Sequence, residues 1–257
     1  MIRIKILPLL IVLILVNTVQ SQDLLGIATY ISKKKLDMKL DTTKYDVEMR
    51  NKLSGFFEKQ FQKTSLLIFN TTESNYKEES NLSTPNTNKT TESLDLLYKD
   101  LKSKRFVHRK ELLGKNFLIK DSISMYNWSI TSETKNIGNY LCYKATSVIK
   151  KKVLEDKEIV LKDVKIEAWF TLQIPIGNGP GYYNGLPGLI LEVNDDDYAI
   201  LCSKVVLNSG ELINIKEPKG GKKVNLKEFE LIELEKRKEG LDRAKIYLMG
   251  IESDRNN

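Results

Sequence analysis

Residue types that can do chemistry are sparse in this sequence. His108 is the single histidine, set in the run RFVHRK, and its lysine and arginine neighbours predict a surface imidazole on a strand. A Ser/His/Asp or Cys/His set would have to use that one ring, and no G-x-S-x-G context accompanies a serine. Paired carboxylates are placed by a fold and not by local spacing, so a hydrolase of that kind leaves no motif. Glu167 and Glu192, which flank a glycine-rich segment, are the candidates; a solvated strand-end charge is the plain alternative for each. Two cysteines and one histidine make no zinc pattern. Asn194 with Asp195, Asp196 and Asp197 offers oxygen ligands for calcium, but it lacks the spacing of a calcium loop and reads as an acidic hairpin turn. No catalytic residue, metal or cofactor is expected. Cys142 and Cys202 lie in alternating runs, where they can pair in an oxidising compartment or pack as two buried thiols.

The elements that would position such groups are organised around residues 167–197. Two apolar runs flank a stretch holding Gly177, Gly179, Pro180, Gly181, Gly185, Pro187 and Gly188. Five of the chain's 14 glycines within twelve residues mark a turn-rich excursion between two strands. Upstream, residues 94–149 alternate apolar and polar with period two, the pattern of half-buried antiparallel strands. Residues 150–157 read as a charged turn, 159–176 as a long strand, and 186–193 with 198–207 as a hairpin, followed by a short strand over 211–216. Tyr45, Met49, Leu53, Phe56, Phe57 and Phe61 recur every three or four residues and predict a helix over 42–64. A second, charged helix is predicted over 226–239, capped by Asn225 and stopped at Gly240. Residues 79–93, rich in Asn, Ser and Thr, read as a surface loop. No repeat or linker divides residues 22–257, so one domain is expected.

The start of the chain sets the expected compartment. Arg3 and Lys5 precede an apolar run over residues 6–16, the pattern of a secretory signal peptide spanning residues 1–21. About eleven apolar residues are too few to span a bilayer. The mature chain is then exported, periplasmic or extracellular, and not membrane-spanning. The net charge of +7 arises from 41 basic and 34 acidic residues that interleave almost everywhere. That is a solvated mixed surface rather than a nucleic-acid-binding face, and no nucleic-acid partner is expected.

The words Gly185-Leu186-Pro187-Gly188-Leu189-Ile190 resemble the signature of the GLPGLI family of exported bacterial proteins, common in the Bacteroidota, for which no biochemical role is established. The likeness extends upstream. Asn116-Phe117-Leu118-Ile119-Lys120-Asp121, Trp128-Ser129-Ile130, Tyr140-Leu141-Cys142-Tyr143-Lys144-Ala145 and Glu167-Ala168-Trp169-Phe170-Thr171 are similar to the family's ordered strands, although Asn139 intervenes between Gly138 and Tyr140. It covers residues 94–207.

The expected fold is mainly β (α+β): a curved antiparallel sheet or half-barrel, with an N-terminal helix packed on it and a C-terminal helix. That outline is similar to periplasmic lipoprotein carriers, by fold-level analogy only. The leading expectation is a non-enzymatic binding protein of the cell envelope holding an apolar or lipid-like ligand between sheet and helix. Trp169, Phe170, Tyr182, Tyr183, Leu186, Phe57 and Phe61 are the candidate contacts. The glycine-rich loop would be its rim; equally, Leu186 and Leu189 could simply plug one end of the sheet. The alternatives are an assembly partner of an envelope complex docking through the loop and, last, a hydrolase using Glu167 and Glu192.

Overall fold

The computed structural model describes residues 24–35, 47–49, 62–79, 95–123, 126–155, 158–208 and 214–255, the last twelve as backbone only. Period-two runs become strands, as their alternation requires. In chain order these are β1 (Gly26–Lys34), β2 (Lys63–Phe69), β3 (Glu73–Glu78), β4 (Leu96–Asp100), β5 (Arg105–Leu112), β6 (Lys115–Ser122), β7 (Ser129–Ile137), β8 (Tyr140–Glu155), β9 (Glu158–Thr171), β10 (Leu189–Asn194), β11 (Tyr198–Leu207) and β12 (Lys222–Val224), followed by helix α1 (Leu226–Arg255). They form one open sheet in the order β12-β6-β5-β4-β3-β2-β1-β11-β10-β9-β8-β7. Every pairing is antiparallel except β12 on β6.

Register decides what faces inward. Ala28, Leu67, Tyr76, Leu97, His108 and Ile119 stand opposite one another across β1 to β6 and so share a face. Phe69, Ser74, Lys99 and Phe106 form the next row of that face. The sheet curls, and α1 shows by how much. β6 and β8 are nine strand steps apart, about 43 Å on a flat sheet at ~4.8 Å per step. Yet Phe229 of α1 packs edge-on against Phe117 of β6, with ring centroids 5.3 Å apart. The next residue, Glu230, is raised by burial and pulled back by Lys151 and Lys152 of β8. The first turns of α1 therefore sit between the two ends of the sheet. Asn225 caps them with a reciprocal pair: its side chain accepts from the Glu228 amide, and the Glu228 carboxylate accepts from the Asn225 amide, both at 2.9 Å.

Four expectations change. The helix expected over 42–64 is represented among the described residues by a three-residue helical segment at 47–49, and Lys63 and Thr64 belong to β2. Phe57 and Phe61 lie outside the described residues. Lysines 150–152 are not a turn but the interior of a sixteen-residue strand, because Val148, Val153 and Leu154 continue the alternation on both sides. Helix α1 runs through Gly240, where no atom crowds the backbone and glycine costs only about 1 kcal/mol. Finally, residues 214–220 form no strand; Gly220 and Gly221 take positive φ and deliver β12 instead. No described helix is long and apolar enough to cross a membrane.

Candidate functional site

The glycine-rich excursion, residues 172–188, leaves β9 and returns as β10. It is closed by its own backbone: the amides of Gly185, Leu189 and Ile190 donate to the carbonyls of Gly177, Ile174 and Asn178 at 3.1, 2.9 and 2.9 Å. Two signature residues are glycine because nothing larger fits or turns there. A Cβ at Gly188 would meet the Thr171 carbonyl oxygen at 1.9 Å. Gly185 has φ +88, the left-handed region closed to most side chains.

The excursion lies on the inward face of β1 to β6, and that face holds it by polar contacts. Lys99 of β4, almost fully buried at 1% exposure, donates from Nζ to the carbonyls of Gly179, Gly181 and Tyr183 at 2.9, 2.8 and 3.3 Å. Burial pushes its ammonium down to about 7, while three carbonyl acceptors work in the opposite direction. Beside it, the hydroxyl of Ser74, its cross-strand neighbour, is buried with no hydrogen-bond partner among the described residues. Tyr182 reaches His108 of β5, whose Nδ1 lies 2.6 Å from the phenol oxygen; Nε2 lies 2.6 Å from Asp95 Oδ1. Tyr183 donates to Asp195 at 2.5 Å, Trp128 to the Asn184 carbonyl at 2.8 Å, and Tyr30 to the Ile190 carbonyl at 2.7 Å. Burial, with Asp195 beside one and Asp95 near the other, raises both Tyr183 and Tyr182, so neither phenol is a nucleophile near neutral pH.

The sequence candidates separate under this geometry. Trp169 and Phe170, adjacent on β9, point to opposite faces as period two demands, so they do not share a pocket. Trp169 packs with Tyr30, Leu67, Ile174 and Leu189, and the Lys135 ammonium sits 4.3 Å from its ring centroid. Phe170 packs with Leu186, Ile190 and Val193. Leu186 is a plug, 2% exposed, as are Leu189 and Ile190 at 0%; only Gly185 and Pro187 of the signature reach solvent. Tyr182 and Tyr183 face the protein's own polar groups.

The chemical candidates are also tied down. His108 is buried at 8% exposure and not a surface imidazole, because the register places it inward beside Leu97 and Ile119. Glu192 takes Lys135 at 2.7 Å and the Asn194 amide at 2.9 Å. Glu167 takes Lys144 at 3.0 Å and Trp169 Nε1 at 3.1 Å. Burial works to raise the Glu167 carboxyl, but those hydrogen bonds outweigh it and hold it below its usual range, the wrong direction for a general acid. Asp195 Oδ1 accepts the amides of Asp197 and Tyr198, and Asp197 and Asp196 meet Lys151 and Lys162 at 2.5 and 3.6 Å. The acidic run is a lysine-matched turn. Among the described residues no three His, Cys, Asp or Glu side chains gather at a metal site.

Cys142 and Cys202 are free thiols, so the pairing held open above is not made. Both lie in the core cluster that also holds Tyr30, Leu67 and Trp169, where each packs as a small buried side chain. Burial raises both thiols to about 11.

Lys99, Ser74 and Asp95 escaped the sequence reading. Lys99 had a signal: in LDLLYKD it shares a face with Leu97, but the adjacent Leu96 and Leu97 leave open which face is inward.

Residues 128–192, from Trp128 through the excursion to Glu192, match a family model described as "Protein of unknown function (Porph_ging)". No curated protein matches the chain. Two solved structures of PNGF-II, in C2 and P21 space groups, are similar in fold, with TM-scores of 0.50 and 0.51 at 13% and 12% identity. They cover 80% and 82% of this chain and 32% and 33% of theirs, so the chain spans about a third of the length of each.

Proposed function

We propose that this chain is an exported member of the GLPGLI family that serves the cell envelope as a non-enzymatic interaction module. One observation carries the reading. The inward face of the curled sheet, where a lipid carrier would hold its ligand, is filled by the chain's own excursion: Ile174, Ile176 and Leu189 are buried there, and Lys99 ties three of its carbonyls. A frame so filled presents surfaces. The ordered motifs upstream of the signature and the charged-then-apolar start of the chain support the family and the export. Neutralised Glu167 and Glu192 weigh against the hydrolase reading.

The test is native mass spectrometry of mature protein purified gently from its own envelope. The expected result is the bare polypeptide mass beginning after residue 21. A co-purifying lipid-sized mass, lost on mild denaturation, overturns the reading in favour of the carrier.

A further inference from the structure

The strands β8 and β9 are longer than their neighbours. β7 pairs with β8 only as far as Thr146, and β10 with β9 only from Glu167, yet β8 and β9 continue together to Glu155 and Glu158. Residues 147–155 and 158–166 therefore form a two-stranded ribbon projecting past the sheet. Its two faces differ. On one face Val164 and Ile166 are buried, and the paired lysines Lys151 and Lys162 are each met by a carboxylate, Asp197 and Asp196. The other face carries Val148, Lys150 and Lys152 from β8, opposite Lys165, Asp163 and Leu161 from β9. Val148 and Leu161 are 61% and 67% exposed, and the three lysines are exposed too. Among the described residues none of Lys150, Lys152 and Lys165 has a carboxylate within ion-pair distance. The same ribbon thus ion-pairs its lysines on the inner face, while those of the outer face, interleaved with bare aliphatic side chains, have among the described residues only Asp163 across from Lys150 and Glu230 in the neighbourhood of Lys152, neither within ion-pair distance.

We propose that this outer face docks an acidic, partly apolar extended segment of a partner protein, whose carboxylates meet Lys150, Lys152 and Lys165 and whose apolar side chains cover Val148 and Leu161. The side chains of the face recur at every second residue of each strand, the same repeat with which an extended partner turns its side chains to one side. A membrane surface fits less well, because a flat anionic bilayer would meet Asp163 on the face and Glu155 and Glu158 at the tip together with the lysines, whereas a single extended segment can set its carboxylates at the lysines alone. The proposal rests on the interaction-module reading and names its surface.

The experiment titrates the mature chain into a fluorescent twelve-residue peptide repeating Glu-Ser-Val-Ser, which when extended turns glutamate and valine alternately to one side, at low salt, and follows anisotropy. The expected result is saturable binding, weakened at least tenfold by Lys150→Glu/Lys152→Glu/Lys165→Glu and also by Val148→Ser/Leu161→Ser, with thermal midpoints within a few degrees of the parent. The same peptide with its valines replaced by serine should bind more weakly, since it keeps the charge and leaves the aliphatic side chains uncovered. No saturable binding, or binding that both variants leave intact, overturns the proposal. So does binding to phosphatidylglycerol vesicles without binding to the peptide. A lipid adduct in the mass spectrum would sink the module reading while leaving this titration unaffected, so the two failures are distinguishable.

Discussion

At the scale of single residues, Lys99 carries the most information. An ammonium buried without a carboxylate is costly, and its three carbonyl partners are what make the position tolerable. Replacing it with alanine removes one donor and orphans acceptors on Gly179, Gly181 and Tyr183 at once. A loss of about 1–3 kcal/mol is expected in urea denaturation, the range for leaving buried acceptors unsatisfied. The pH dependence has a definite sign. Burial lowers the folded-state value to about 7 from an ordinary 10.5, so between those limits the unfolded chain binds the extra proton. Stability therefore rises as pH climbs from 7 towards 10, by at most about 1.4 kcal/mol per unit, less whatever the carbonyls return. Thermal melts at pH 7 and 9.5 should show that rise in the parent and lose it in Lys99→Met. A flat parent profile would mean that the carbonyls hold the charge fully. The cysteines give a second residue-scale expectation: with both thiols raised to about 11 by burial, a disulfide-exchange reagent at pH 8 should label two groups rapidly only after denaturation.

Elements explain why the signature has its letters. Gly188 turns the excursion into β10 directly against the Thr171 carbonyl, so Gly188→Ala forces β9 and β10 apart and should cost more than about 3 kcal/mol or abolish folding. Gly240→Ala is the matched control, since nothing crowds that position in α1; a gain of about 1 kcal/mol is expected there from helix propensity alone. Equal effects at the two glycines, read from urea midpoints, would remove the steric account. The strands were legible because period two survives in β8 to β11, and the capped start of α1 was legible at Asn225 and Glu228. Its length was not, because a glycine in a charged helix reads as a stop. The parallel β12 was not legible either: Lys222, Lys223 and Val224 carry no pattern, and only the positive φ of Gly220 and Gly221 aims them along β6. Inward polar residues such as Lys99 and His108 were the hardest, since alternation marks a shared face but not which one is buried.

Over the whole molecule, α1 couples two strands that sheet order places far apart. Phe229, 2% exposed, seats the helix against Phe117 with Lys110 over its ring at 5.1 Å, and Lys110 also meets Glu233 one turn on. On the other side of the same turns lie Lys151 and Lys152 of β8. A curled open sheet with a helix across its gap has one consequence that a flatter sheet would not. Loosening the helix should loosen both ends together, although they are nine strands apart and share no backbone pairing. Phe229→Ala removes a buried aromatic from that joint and should cost about 3–5 kcal/mol. Native-state hydrogen exchange then discriminates: amides of β6 and of residues 147–155 should both exchange faster in the variant, while those of β1 and β2, midway along the sheet, keep their protection relative to the global stability. Faster exchange confined to β6 would show that α1 is an ornament on one edge, and the curl would then need another cause.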